Sequence, residues 1–527
     1  MLVVEGELRS LNPATLEVVG SVRPTDPAEL EAIVARAQQA QARWAETSLD
    51  ARRRLVLDTA RVLLDRMDEV AELVTAETGK PLVESYTAEL IVSVENARWV
   101  AAAAPRVLRV ERAPFPQLYL KHKRGFLVYE PLGAVAVISP WNFPLAIPFT
   151  QAVAAVAAGN AVVVKPSELT PLTGEWVARA FAEAGAPEGL VQTVQGSGDE
   201  VGDALVRAPG IAKVFFTGST AVGRRIGVAC AELLRPVTLE LGGKDPMLVL
   251  RDADLGRAVE GALWGAFSNC GQVCAGVERI YVASERCEEF VRALVRRAGE
   301  LRLGRGDDPA TELGPLVSEG QRARVEDLVA EARERGAEAL CGGRRPDVGL
   351  PGWFYEPTVM AVRDGSPRLE REEVFGPVVT VAPFEDEDEA VALANSSPFG
   401  LGASVWTRDL ERARRLAARL EAGSVWTNDV AYSYGAGQAS WGGVKESGFG
   451  RTHSKHGLYA CTQVKFVDAD RGRVSVPWWY PYGPLGVEAF RGALEVLYGD
   501  GVGARAQAAW HHRRGLAYLA RRYLSGR

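Results

Sequence analysis

The chain has 527 residues, too many for one ordinary core, so roughly two to four domains are expected. Hydrophobic residues make up 47% and charged residues 24%, a balance that belongs to a folded globular protein and excludes disordered or fibrous classes. A net charge of -6 and a pI of 5.7 argue against a nucleic-acid partner, which would favour a basic surface.

No run reaches the ~18 uninterrupted apolar residues that a membrane span needs. The most apolar stretch, 131–164, is broken by Pro140, Pro144, Pro148 and Gly159. The opening MLVVEGELRS lacks a basic segment followed by an apolar one, so a cytoplasmic address is expected. Cys230, Cys270, Cys274, Cys287, Cys341 and Cys461 are too sparse for a disulfide scaffold, and no CxxC pair suggests a metal.

Taken in order, Pro27 to Trp44 and Asp50 to Thr75 carry apolar residues at three- and four-residue spacing, which predicts helices with Asp26 as an N-cap. LYLKHKRGFLVYEPLG reads as two short strands around Lys121 to Gly125, a hairpin with a basic turn. From Gly133 short apolar runs alternate with helical stretches. Ala134–Ile138, Ala161–Val164, Val191–Val194 and Val214–Phe216 read as buried strands, with helices over Leu172–Ala184 and Ala221–Leu234. That alternation predicts a parallel sheet wound with crossover helices. Pro246–Leu250, Arg279–Val282 and Val378–Val381 begin a second α/β unit. After Asp468 the chain turns rich in proline and aromatics (VPWWYPYGPLG), then helical, with Leu516, Leu519, Ala520, Tyr523 and Leu524 on one face and arginines on the other.

Four segments carry chemistry. In FSNCGQVCAG, Cys274 lies in a Gly-flanked turn that reads as entering a helix, where backbone N–H groups would favour thiolate and make it a nucleophile. The plainer reading is a small core residue. In VTLELGGKDP, Glu240 ends an apolar strand, where desolvation raises a carboxyl pKa and suits a general base; the rival is a carboxylate paired with Arg or Lys. ISPWNFP presents Asn142, either an oxyanion donor or a turn residue. VVVKPSE places Lys165 and Glu168 at a strand end, and FFTGSTAVG runs through Gly218 and Ser219 into a helix whose free N–H groups suit a pyrophosphate.

Together NFP, KPSE, FTGST, LELGGK, GQVCAG, EEVFGP and WGGVKESGFGR resemble the aldehyde dehydrogenase superfamily in order and spacing, from about Ser10 to Val467. The resemblance implies an α/β fold: a Rossmann-type cofactor domain (1–113 and 131–239), a catalytic domain (240–440), a small β oligomerisation element (114–130 and 441–468) and an added extension (469–527). It implies that Cys274 attacks an aldehyde, that Asn142 and the Cys274 N–H hold the oxyanion, and that Glu240 activates water against the thioester. It also implies that Lys165 and Glu168 meet the adenosine ribose, Glu373 the nicotinamide ribose and Ser219 the pyrophosphate. Phe375 would support the nicotinamide, and Ile138, Trp141, Gly198, Gly202, Gly218 and Val222 would line the cofactor cleft. Glu168 would repel a 2′-phosphate, so NAD is expected over NADP. A homo-oligomer, dimer or tetramer, follows from the same resemblance.

Some positions depart from the family's common pattern. Gln151 stands where a lysine is frequent, and Arg451-Thr452-His453-Ser454-Lys455-His456 lacks the acids often found there. Thr150 and Ser268 replace aromatics, which predicts a pocket less lined by aromatics than in relatives that have both. Cys270 is expected to be a bystander. Two rival readings remain in view: a semialdehyde dehydrogenase that acylates coenzyme A, against which Glu240 argues, and a structural protein on the same fold, against which Cys274, Glu240 and Asn142 argue. The arginine-bearing C-terminal helix could rest on a membrane surface, but the expectation is that the aromatic tail contacts a neighbouring subunit.

Overall fold

The run AVAVI is apolar at every position, so it cannot sit with one face in water; in the computed structural model it becomes a central strand, Ala134–Ile138, buried throughout. The structure describes residues 2–4, 6–362 and 367–524. By compactness the chain divides into two units, Met1–Leu108 with Glu130–Gln463, and Arg109–Tyr129 with Val464–Arg527.

The first unit holds two α/β sheets. One has the order Gly448–Phe449, Val237–Glu240, Ile211–Thr217, Ala134–Ile138, Ala161–Lys165, Val191–Thr193, parallel except for its first strand. The chain enters at Ala134–Ile138, winds outward through the next two strands, then returns to the other flank. Its order therefore reverses between Ala134–Ile138 and Ile211–Thr217, where such sheets open a ligand crevice beyond their carboxyl ends. The second sheet runs Glu338–Cys341, Thr358–Ala361, Val378–Phe384, Val277–Ala283, Asp245–Val249, Gly402–Trp406, Ser424–Thr427, antiparallel only at its first pair. Met247, Ile280, Val282, Phe290 and Leu294 fill the core on one of its faces, and Leu248, Tyr281, Ala403 and Val405 serve the other.

The predicted N-terminal helices form as Leu30–Ala45, Leu49–Asp65 and Met67–Thr78. Asp26 caps the turn Pro27–Glu29 by accepting from the Ala28 N–H. The second predicted helix divides at Arg66, whose φ/ψ of −117° and 18° leave the helical region. Ahead of these lies a three-stranded sheet, Leu2–Val4, Glu7–Leu11 and Val18–Val22, that the reading of the sequence had missed.

In the second unit the expected hairpin around Lys121 to Gly125 does not form. Leu118–Leu120 is a 3-10 turn, and Lys123–Pro131 is a single strand paired antiparallel with Glu111–Ala113 and flanked by Thr462–Asp470. One of its two neighbours in the sheet thus comes from far along the chain, marked by the Lys123 Nζ to Asp468 Oδ2 bond at 2.6 Å (345 residues apart). The tail folds into helices Pro484–Tyr498, Gly501–His511 and Arg513–Leu524. Small residues let them close up: a Cβ on Gly515 would stand 2.6 Å from the Ala489 nitrogen. Among the described residues no helix is long and apolar enough to cross a membrane, and no cluster of His, Cys, Asp and Glu could hold a metal ion.

Candidate active site

Three strand ends deliver the first residues. Ala134–Ile138 leads into Pro140, Trp141 and Asn142; Ile211–Thr217 into Gly218, Ser219 and Thr220; Val237–Glu240 into Leu241 and Gly242. These segments, with Cys274, Glu373 and Phe375, line one crevice of about 800 Å³. It lies where the strand order reverses.

Two buried loops are tied together beneath it. Asn142 Nδ2 donates to the Gln272 carbonyl at 3.0 Å, and Asn269 Nδ2 donates to the Asn142 carbonyl at 3.0 Å. Lys80 Nζ donates to that same Asn142 carbonyl and to Glu89 Oε1, each at 2.7 Å. Glu89 Oε2 in turn accepts from the Leu145 and Ala146 N–H groups at the start of helix Ala146–Ala157. The Asn142 and Cys274 loops therefore share one rigid hydrogen-bonded base, the kind of support that fixes reacting geometry. Asn142 Oδ1 has no partner, so the amide is oriented by its nitrogen alone.

The expected helix after Cys274 is absent. A tight turn, Ser268–Gly271, precedes it with Asn269 and Cys270 left-handed at φ 49° and 55°, and the strand Val277–Ala283 follows. The expectation of a favoured thiolate is corrected with it. Burial, then the carboxyl groups of Glu373, Asp245 and Glu240, push the Cys274 thiol well up, and only the Ala275 N–H opposes them. The resting sulfur is protonated. Cys270 sits in the apolar core of the second sheet, as a bystander would.

Glu240 is buried, neither carboxyl oxygen has a hydrogen-bond partner, and desolvation pushes its pKa up to about 8 against the pull of Arg451. Arg451 is itself held by the Gly443 and Gly450 carbonyls at 3.0 and 2.6 Å.

Glu373 Oε1 accepts from the Gly243 N–H at 2.9 Å, and burial, then Glu278, lift its pKa to about 8. Phe375 adopts φ 55° and meets Trp141 edge-on, ring centroids 5.4 Å apart. That unusual backbone is held by Glu278, which accepts from the Val374 and Phe375 N–H groups and pairs with Lys244.

A second cavity of about 650 Å³ is lined by Ile138, Gly198, Gly202, Phe216 and Val222, with Arg207, Arg224 and Arg225 on its walls. Gly198 faces open space, since a Cβ there would meet no atom within 4 Å. Ser219 caps helix Thr220–Glu232 by accepting from the Val222 N–H, so the helix start borders the first crevice. Lys165 and Glu168 flank these walls without lining them: Lys165 Nζ donates to the Pro166 carbonyl at 2.8 Å and to Glu168 Oε2 at 3.5 Å, with its stem beside Gly202. A cavity bordered by Gly198 and Gly202, a helix start for phosphate and a crevice reaching a thiol fit a dinucleotide.

On its other side Cys274 opens into a third cavity of about 420 Å³. Ser268 brings no ring to its wall, but against the expectation of a less aromatic pocket Phe143, Trp264, Tyr432, Tyr434 and Trp441 line it from other positions. Tyr434 OH lies 3.3 Å from Thr150 Oγ1, and its ring is 4.5 Å from that of the buried His453. Burial pushes His453 down to about 4, so its ring is neutral. Gln151 donates to Thr217 Oγ1 at 3.2 Å.

Reading the sequence missed several contributors. Lys80, Glu89 and Glu278 carry no local sign of burial, because each acquires its partners only through the fold. Gln321 and Arg324 on the crevice wall donate to the Phe375 and Glu373 carbonyls, both at 2.8 Å, from helix Glu319–Glu334.

The chain resembles known proteins over most of its length. The profile described as "Aldehyde dehydrogenase family" matches residues 4–467. A betaine aldehyde dehydrogenase of Rhizobium etli is 40% identical over 472 residues, covering 89% of this chain and 95% of the relative. An NAD+ complex of an aldehyde dehydrogenase from Bacillus cereus superposes with a TM-score of 0.84 at 37% identity, covering 88% of this chain and 93% of that one. An NADP-dependent enzyme from E. coli matches at 35% identity with a TM-score of 0.84, covering 88% and 95% of the two chains.

Proposed function

Because the chain belongs to the aldehyde dehydrogenase family, we propose that Cys274, Glu240 and Asn142 carry its oxidation of an aldehyde to a carboxylic acid with a nicotinamide dinucleotide. The observation that carries the assignment is their placement on one crevice wall, with Cys274 also opening into the aromatic cavity.

The aldehyde enters through that cavity and its carbonyl carbon meets Cys274 Sγ. The sulfur's proton passes to solvent water as the C–S bond forms, and the carbonyl π electrons move to the oxygen, which takes the negative charge. Asn142 Nδ2 has one hydrogen committed to Gln272 and one free to donate to that oxygen, beside the Cys274 N–H. The bound dinucleotide supplies the acceptor for the hydride that leaves the thiohemiacetal. A thioester on Cys274 remains. Glu240, unpaired and poised near neutral pH, takes a proton from water as the water oxygen attacks the thioester carbon. The C–S bond breaks, the acid departs and the Cys274 thiolate takes back the proton that Glu240 holds.

Glu373, Phe375, Trp141, Gly218 and Ser219 would hold the nicotinamide and phosphate end, and Ile138, Gly198, Gly202 and Val222 the adenine end. Glu168, close to Lys165, would discriminate against a 2′-phosphate and favour NAD. The functional division follows the sequence reading: cofactor binding in 1–113 and 131–239, catalysis in 240–440, and association through 114–130 and 441–468. On this reading the protein is a cytoplasmic homo-oligomer, dimer or tetramer, whose extension 469–527 contacts a neighbouring subunit.

Cys274→Ala tests the central assignment. It should abolish NADH formation while dinucleotide binding, read by fluorescence titration, stays close to the parent. Turnover within about tenfold of the parent would remove Cys274 as the nucleophile.

A further inference from the structure

Two carboxyl groups on one helical run each reach one loop of the site. The run continues from Leu82 to Val107 and widens to a π-turn over Ser85–Ile91. Glu84 and Glu89 are five residues apart, which in an α-helix would set them about 140° apart around the axis. The wider turn, with its i→i+5 bonds, brings residues five apart towards one face. Glu89 Oε2 holds the Asn142 loop through the Leu145 and Ala146 N–H groups, at 3.1 and 2.7 Å. Glu84 Oε2 holds the other loop, accepting from the Asn269 N–H at 2.9 Å across 185 residues of sequence.

That second loop needs holding. Asn269, Cys270 and Gly271 have φ of 49°, 55° and 69°, three left-handed residues in a row just before Cys274. Left-handed backbone suits glycine and is disfavoured for a residue with a Cβ, so Asn269 and Cys270 keep it only where their surroundings over-determine it. Within the turn, the Asn269 carbonyl accepts from the Gln272 N–H at 3.1 Å and from Gln272 Nε2 at 2.9 Å. Asn269 Nδ2 donates back to the Gln272 carbonyl at 3.2 Å. The remaining backbone group of Asn269 is its N–H, at the start of the turn, and Glu84 takes it. The carboxyl groups that act on the Cys274 thiol are Glu373, Asp245 and Glu240, and Glu84 is not among them. Its influence on the nucleophile runs through the shape of the turn.

We propose that Glu84 is a positioning residue for Cys274: by taking the first N–H of the left-handed turn it fixes the loop that carries the nucleophile, as Glu89 fixes the loop that carries Asn142. The π-turn is what lets a single helix do both. This rests on the assignment of Cys274 as nucleophile and adds the group that sets its place.

The test compares Glu84→Met, which keeps the bulk and removes the acceptor, with Glu84→Gln, which keeps an oxygen for the Asn269 N–H. It is run above the value of about 7 to which burial lifts the parent's carboxyl. The NADH burst that reports acylation should fall by about tenfold in Glu84→Met and stay within about threefold of the parent in Glu84→Gln. Hydrolysis of the acyl-enzyme, which Glu240 drives, should keep its rate in both. The pH midpoint for alkylation of Cys274 by iodoacetamide should be the same in all three proteins, which separates a misplaced thiol from an electrostatically altered one. Hydrogen exchange over 268–272 gives a readout free of turnover, and it should quicken in Glu84→Met alone. An undiminished burst in Glu84→Met, a glutamine variant as slow as the methionine one, equal loss of acylation and deacylation, a moved midpoint or unchanged exchange overturns the proposal. So does a Glu84→Met protein that does not fold, because Glu84 would then serve the whole fold and not the turn. If the parent gives no burst, or Cys274→Ala turns over, the dehydrogenase assignment fails separately, while the exchange comparison still decides whether Glu84 holds the turn.

Discussion

A Cβ placed on Gly243 would stand 2.1 Å from the carbonyl oxygen of Cys274. The strand that carries Glu240 can pass this close to the nucleophile's own backbone only because the residue after its turn has no side chain. Gly242 is constrained in the same way, since a Cβ there would meet the Glu373 carboxyl at 2.6 Å. Gly243→Ala should therefore push Cys274 off its position without emptying any core. An activity loss of about 100-fold is expected from a displacement near 1 Å. The check is kcat alongside the melting temperature: a variant with near-parental turnover would show that the Cys274 loop yields freely.

The Glu240 carboxyl makes a signed prediction about pH. As a general base it works only when ionised, and burial lifts its pKa to about 8. Deacylation should thus rise with pH through about 8 and level off above it, while slowing by about tenfold per unit well below. Glu240→Gln should still give the first burst of NADH, because hydride leaves before water attacks, and then stall. Stopped-flow traces across pH read both phases. Equal loss of burst and steady state would give Glu240 an earlier role.

How much of this was legible follows the range of the interactions. The strands Ala134–Ile138 and Ala161–Lys165 were legible because five consecutive buried residues announce themselves locally. Glu7–Leu11 and Val18–Val22 were not, since short, half-exposed strands lack both alternation and a continuous apolar run. The hairpin was misplaced because the outer partner of Lys123–Pro131 comes from the far end of the chain. Cys274, Glu240 and Asn142 were visible through motifs, but the electrostatics of Cys274 was not. Three carboxyl groups converge on its thiol from distant segments, and no periodicity reports that.

Glu168 offers a test of cofactor choice. Its carboxylate lies 3.5 Å from the Lys165 ammonium, where burial lowers the lysine's pKa and Glu168 partly restores it. Glu168→Ser removes the negative charge and leaves Lys165 to meet a 2′-phosphate. The ratio of kcat/KM for NADP to that for NAD should rise by about tenfold, the worth of one partly screened charge. An unchanged ratio would mean that the discrimination lies elsewhere, with Arg207, Arg224 and Arg225 of the second cavity as the next group to substitute.

The last prediction concerns the tail. Its helices pack on one another, and it is tied to the 109–129 segment by a 2.9 Å bond between Tyr523 OH and His122 Nδ1 and by the edge-on contact of Trp478 with Tyr119. Even so, Trp479, Tyr480, Tyr482 and Trp510 are 65 to 80% exposed, and Leu485, Val487, Leu494 and Val502 add aliphatic surface beside them. Apolar area of this kind on an ordered element is stabilised by covering it, and a second copy of the chain in a closed assembly supplies the same complementary surface to every tail. Strand Thr462–Asp470, at the edge of its sheet and exposed along nearly its whole length, leads directly into this region. Deleting residues 469–527 should reduce the assembly size in sedimentation or lower the melting temperature by roughly 2–4 °C for each kcal/mol of lost contact. Trp479→Ser with Trp510→Ser should act in the same direction while leaving the helices in place. If both the deletion and the double substitution keep the parent's sedimentation and melting behaviour, the tail is no part of the assembly.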